Sequence, residues 1–203
     1  MGTWLSACRE KKIEDVLGLD GPWVPKDLLV IPEERFLALD FNAGLVPQVE
    51  RRYGLAICLE VAEHINQDKA DHFVDFLTAL SDQILFSAAI PGQGGNGHVN
   101  EQWPAYWIER FRKKGYAACD TIRPAIWSDP RIPWWYRQNT ILFVSSEVNR
   151  SDTAAAGKHA TFSGLPIVHP ETFQARTQLY TGQAMQLLFH AIRAALKRRF
   201  QRA

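Results

Sequence analysis

Short apolar runs alternate with segments of helical period over the first two thirds of the chain. Val16 to Asp20 is a brief apolar run closed by a turn at Asp20-Gly21, and Arg35 to Leu39 repeats the pattern before Asp40. Leu55 to Leu59 is continuously apolar, as expected of a strand buried on both faces. Gln83 to Ala89 is similar and is closed by Pro91-Gly92. Weaker runs, Ala117 to Ile122 and Thr140 to Ser145, complete the strand candidates. Between them Ala70, Phe73, Val74, Leu77 and Leu80 recur at helical spacing, with Asp71, Asp75 and Asp82 off the stripe. Glu101 to Lys114 predicts a second helix, stopped by Gly115 and carrying two lysines where the helix dipole favours cations. This alternation predicts an α/β fold with a doubly wound, mostly parallel sheet, whose ligand crevice lies beyond the carboxyl ends of the strands.

The pattern changes after about Glu147. Asn149 to Gly164 is rich in Ser, Thr, Ala and Gly. The division expected is a domain over 1–146, a linker over 147–169 and a C-terminal amphipathic helix over 170–203. His169-Pro170-Glu171 opens that helix, and the basic run Lys197-Arg198-Arg199-Phe200-Gln201-Arg202 ends it. A solvated terminus accounts for the basic run, and docking to a partner or an anionic membrane surface is the other reading.

Composition narrows the picture. The 203 residues are 46% hydrophobic and 22% charged, enough for one sizeable core. A net charge of +1 makes a nucleic-acid partner unexpected. The cysteines Cys8, Cys58 and Cys119 are far apart and form no disulfide or zinc pattern. Cys58 and Cys119 sit in apolar runs and are expected to be buried. No run approaches the roughly 20 apolar residues of a membrane span, and the polar, helix-like N-terminus has no signal-peptide core. A cytoplasmic protein is the expectation.

Candidate chemistry gathers at strand ends. Asp20, Asp40 and Glu60 each follow a strand, where an acid can hold ribose hydroxyls or an adenine amino group. Gly2-Thr3-Trp4-Leu5 followed by Val16-Leu17-Gly18-Leu19-Asp20-Gly21 resembles the end of motif I and all of motif II in class I S-adenosylmethionine-dependent methyltransferases, a Rossmann-like family. Ala38-Leu39-Asp40-Phe41 resembles the stretch that sets an acid near adenine. Leu59-Glu60-Val61-Ala62-Glu63-His64 resembles the fourth-strand signature E-V-x-E-H, and Pro91-Gly92 and Gly115-Tyr116 fit the same pattern. The likeness runs from about Gly2 to Val144, and two portions, Ile90 to Trp107 and Trp127 to Asn139, look particular to a bacterial subgroup. Of the family's D-x-G-x-G-x-G motif only the last glycine appears, as Gly2, so the fold is expected to lack its first strand and to carry an apolar slot there.

The resemblance implies methyl transfer from S-adenosylmethionine to an oxygen or nitrogen of a small-molecule or glycan-type acceptor. It implies that Gly2, Thr3, Asp20, Gly21, Asp40, Phe41 and Glu60 bind the cofactor, and that His98, His64 and Glu60 face the acceptor, with His98 as general base. The other reading is a catalytically degenerate, methyltransferase-like binding or scaffold module. An open sheet would also favour a homo-oligomer.

A helix starting near Glu60 would bring Glu60, Glu63 and His64 to one face, and His98 from the Gly92–Gly97 loop could join them. Two carboxylates and two imidazoles suit a divalent metal ion, the alternative role for this set. Among the dense aromatics, Trp107 and Trp135 are expected in the core, while Trp103, Trp134 and Tyr136 could wall a substrate pocket. Arg137 and Gln138 beside them could hold a carboxylate or phosphate.

Overall fold

A computed structural model describes residues 1–44, 51–151, 166–176, 185–186 and 188–189. The first helix, α1, is Thr3–Glu10, followed by the strands β1 (Gly18–Asp20) and β2 (Phe36–Ala38), which pair in parallel. Next come β3 (Ala56–Leu59), α2 (Ala70–Leu80), β4 (Gln83–Ser87), α3 (Pro104–Lys113) and β5 (Tyr116–Cys119). Two short helices, α4 (Ile122–Ile126) and α5 (Trp134–Asn139), lead to β6 (Ile141–Ser145) and α6 (Ser146–Ser151).

The second sheet has the order β3-β4-β6-β5. Its β3–β4 pair is parallel, but β6 runs antiparallel to both β4 and β5. The fold is therefore α/β with a mixed sheet, and the expectation of a mostly parallel one is corrected. The reason is physical: Ile141–Ser145 is almost wholly buried, and a strand buried on both faces reads alike in either direction. Two further expectations fail locally. Thr121 and Ile122 leave the strand and start α4, and Glu101–Trp103 stay outside α3, which begins at Pro104, a residue suited to the first helical position.

One core joins these elements. Ala70, Phe73, Val74, Leu77 and Leu80 of α2 are buried as their spacing predicts, and Trp107 and Phe111 of α3 are buried with them. Phe86 packs edge-on to Phe111 and Phe143, whose rings stack at 3.9 Å. The buried Tyr116 hydroxyl donates to the Ser81 carbonyl at 2.7 Å, fixing β5 to the end of α2. Cys58 and Cys119 are buried as expected.

Neither β1 nor β3 has a second ladder partner among the described residues, so each leaves one edge open. Both line one cavity of about 890 Å³, walled also by Leu5, Phe73, Leu77 and Leu80.

The chain after β6 departs from the expected linker. Ser146–Ser151 are helical, and His169 and Thr172 are buried against α5 through Gln138. Residues 170–176 are helical, in keeping with a helix opened by His169-Pro170-Glu171. The basic run 197–202 and most of the expected linker lie outside the described residues. Among the described residues no helix is long and apolar enough to cross a membrane.

Candidate functional site

Glu60 caps β3 in an unusual conformation. Its φ is 56°, the left-handed region that costs a residue with a Cβ about 1 kcal/mol or more. Two bonds hold the backbone there: its N–H reaches the Ser87 carbonyl and the Ser87 hydroxyl, each at 3.0 Å. The turn aims the side chain at two amides. Gln93 donates to Oε2 at 2.8 Å and Asn139 donates to Oε1 at 3.2 Å. Burial raises the pKa of this carboxyl, and the Ser87, Asn139 and Gln93 hydrogen bonds oppose the rise.

The left-handed turn also ends any helix at Glu60. Ala62–His64 form a single 3-10 turn after Val61, so Glu60, Glu63 and His64 do not share the face of one α-helix. The expected four-residue set thus divides. Glu63, His64 and His98 offer ligand atoms within 4.8 Å of one another, and Glu60 stands outside, its oxygens taken by Gln93 and Asn139.

The electrostatics of the three-residue cluster are distinctive. Glu63 is 1% exposed, and neither carboxylate oxygen has a well-formed hydrogen bond. Burial, reinforced by the nearby Glu60 charge, pushes its pKa up to about 8, although the backbone N–H groups of Glu63 and Ala89 offset part of the rise. His64 Nδ1 lies 3.1 Å from the Gly97 carbonyl, which can only accept, so Nδ1 is the donor. His98 Nδ1 lies 2.9 Å from Glu101 Oε1 and is protonated by the same logic, leaving Nε2 to face Glu63 Oε1 at 3.9 Å. The rings meet edge to face at 5.0 Å. Imidazoles that donate from one nitrogen and keep the other free are typical metal ligands. Donors around one ion stand about 3–4 Å apart, so closure of roughly 1 Å would complete a site.

Glu101 organises the loop that delivers His98. It accepts from Gly92 N–H at 2.7 Å, Gly94 N–H at 2.6 Å and His98 Nδ1. Gly92, Gly94 and Gly97 all have positive φ, which the loop needs to fold back on Glu101. The loop is closed down as well by Val99 and Asn100, whose N–H groups donate to the Glu63 carbonyl.

The cavity gathers most of the expected cofactor residues. Gly2 and Thr3 at the start of α1, Asp20 at the end of β1, Phe41 and Glu60 all line it. Asp20 Oδ1 accepts from Gly21 N–H at 2.7 Å. Gly21 itself and Asp40 are not among the lining residues, and Asp40 Oδ1 instead caps the Asn42 N–H. Tyr136 joins the lining beside Trp4, its ring edge-on at 5.6 Å.

The other aromatic and polar expectations are partly revised. Trp107 is core, but Trp135 is 36% exposed because it lies on the outer face of α5. Trp103 and Trp134 do not line the cavity. Arg137 is buried, bonding the Trp127 carbonyl at 3.1 Å and Glu171 at 2.7 Å, and Gln138 is buried beside it. Neither is placed to receive a ligand's carboxylate or phosphate. Sequence reasoning missed Ser87, Gln93, Glu101 and Asn139, which orient the site; no local pattern marks them.

Compared with protein-family profiles, curated proteins and solved structures, the chain matches none.

Proposed function

We propose that the chain is an S-adenosylmethionine-dependent methyltransferase acting on an oxygen or nitrogen of a small-molecule or glycan-type acceptor, with a divalent-cation site at Glu63, His64 and His98, residues that do not themselves line the cavity. The observation that carries the reading is the convergence on one cavity of Asp20 and Glu60, from the ends of β1 and β3, with Gly2 and Thr3 at the start of α1. Its volume, about 890 Å³, falls in the range of small-molecule pockets. Asp20 is suited to the ribose hydroxyls, Phe41 to the adenine face, and the start of α1 at Gly2 and Thr3 to the methionyl end.

The donor set of Glu63, His64 and His98 fits a borderline divalent ion: one buried carboxylate without a hydrogen-bond partner and two imidazoles each held through Nδ1. Bound by these residues, such an ion would lower the pKa of a hydroxyl that coordinates it and so favour loss of its proton to solvent. The residues of the chain hold the reactants in line. The methyl–sulfur bond breaks with its electron pair left on sulfur, and the acceptor lone pair forms the new bond. His98 engages Glu101 through Nδ1, which leaves Nε2 as the nitrogen for either a ligand or a general-base role. Its approach to Glu63 favours the ligand role.

Incubating the chain with methyl-labelled S-adenosylmethionine, a panel of hydroxylated and amino acceptors, and Mn²⁺ or EDTA tests the proposal. Label transfer that EDTA suppresses supports it. Transfer indifferent to EDTA removes the metal and returns His98 to the role of base, and a chain that binds no S-adenosylmethionine removes the methyltransferase reading.

A further inference from the structure

The hydrogen bonds that aim Glu60 continue through the protein to residues 166–176. Gln138, at the end of α5, is 1% exposed. Its side-chain oxygen accepts from the His169 backbone N–H at 2.8 Å and from the Thr172 hydroxyl at 2.6 Å. A backbone N–H only donates, so it fixes which end of the Gln138 amide is oxygen. The amide nitrogen therefore points the other way, donating to Asn139 Oδ1 at 3.0 Å and Gln93 Oε1 at 3.3 Å. Gln93 Oε1 is held further by Asn139 Nδ2 at 2.8 Å and Ile90 N–H at 3.3 Å. With those oxygens engaged, the amide nitrogens of Gln93 and Asn139 are the groups left facing Glu60. Each amide inherits its direction from the one before it.

A second contact comes from the other end of the same segment. The Arg176 guanidinium lies directly over Gly94, where an added Cβ would fall 1.9 Å from Nη2. Gly94 donates to Glu101, and Glu101 holds His98. The segment therefore touches both the Glu60 branch and the His98 branch of the site.

We propose that residues 166–176 are a working part of the site: docked on Gln138, they set through Asn139 and Gln93 the direction of the carboxylate of Glu60, a residue that lines the cavity. Gln138 and Thr172 are then positioning residues. Neither lines the cavity, so any effect of changing them on ligand binding is transmitted. The role of Glu60 as a ligand-binding group rests on the methyltransferase reading, whereas the amide relay does not.

The test uses the full chain, ¹⁵N-labelled, as wild type, Gln138→Met and Thr172→Val. Exchange of the Gln93 and Asn139 side-chain amide protons is followed by NMR, and S-adenosylmethionine affinity by calorimetry. Both substitutions are expected to speed that exchange by about tenfold or more while the backbone amides of Phe86 and Phe143 keep their protection. Affinity is expected to weaken by about fivefold or more in the same variants. Unchanged side-chain exchange overturns the relay, and faster exchange with unchanged affinity overturns the positioning role. Thr172→Val, which removes one hydroxyl, decides the matter if Gln138→Met does not fold. Should wild type bind no S-adenosylmethionine, the methyltransferase reading fails and the exchange data alone decide the relay.

Discussion

His98 Nε2 stands 3.9 Å from Glu63 Oε1, a carboxylate oxygen buried without a well-formed hydrogen bond. An arrangement of this kind costs stability unless a cation occupies it, because a buried acceptor without a donor forfeits its hydration. The cost explains why the carboxyl prefers its proton in the folded protein, and it makes the cluster measurable without knowledge of a substrate.

Burial moves Glu63 from its ordinary value of 4.5 up to about 8 in the folded state. Between those values the folded protein keeps a proton that the unfolded chain releases. Stability from this group is therefore full below about pH 4.5, falls as pH rises and levels off above about pH 8. Thermal melts of wild type and Glu63→Gln across this range check it. The Glu63→Gln curve should be flatter, and its advantage should be greatest at pH 8.

Metal should reverse that loss. Mn²⁺ or Zn²⁺ at about a hundredfold over its dissociation constant should stabilise the protein by about 2.7 kcal/mol. EDTA should restore the original melt, and His64→Ala or His98→Ala should remove the response. A melt that ignores both metals at pH 8 would remove the cation from the account.

The left-handed turn at Glu60 separates stability from binding. Glu60→Ala loses the carboxylate and keeps the strain, whereas Glu60→Gly loses the carboxylate and relieves it. The glycine variant should be the more stable of the two by about 1 kcal/mol in urea titrations. Both should bind S-adenosylmethionine more weakly than wild type.

The stacked pair of Phe111 and Phe143 is fully buried at the centre of the core. Phe143→Ala should cost about 3–5 kcal/mol in chemical denaturation, since little around it can collapse into the space. A loss below about 1 kcal/mol would show that the α3–β6 packing is looser than described.

Sequence periodicity revealed the elements that depend on one-dimensional patterns. Ala70–Leu80 is a helix because its apolar residues repeat at helical spacing, and Ala56–Leu59 is a strand because a short apolar run between turn signals fits a buried strand. The direction of β6 was hidden because burial on both faces erases it. The separation of Glu60 from Glu63 and His64 was hidden too, since a non-glycine left-handed residue has no local signature. Gln93 and Asn139 reach Glu60 across 33 and 79 positions, and such buried amide partnerships exist only once the chain is folded. Residues 166–169 read as part of a linker because their dock, Gln138, lies on a different element.

The most direct test of the central claim is calorimetric titration of S-adenosylmethionine into the full chain, with Asp20→Ala and Glu60→Ala alongside. The account predicts saturable one-to-one binding that each substitution weakens by about tenfold or more. No saturable binding by wild type, or binding that both variants retain unchanged, would contradict it.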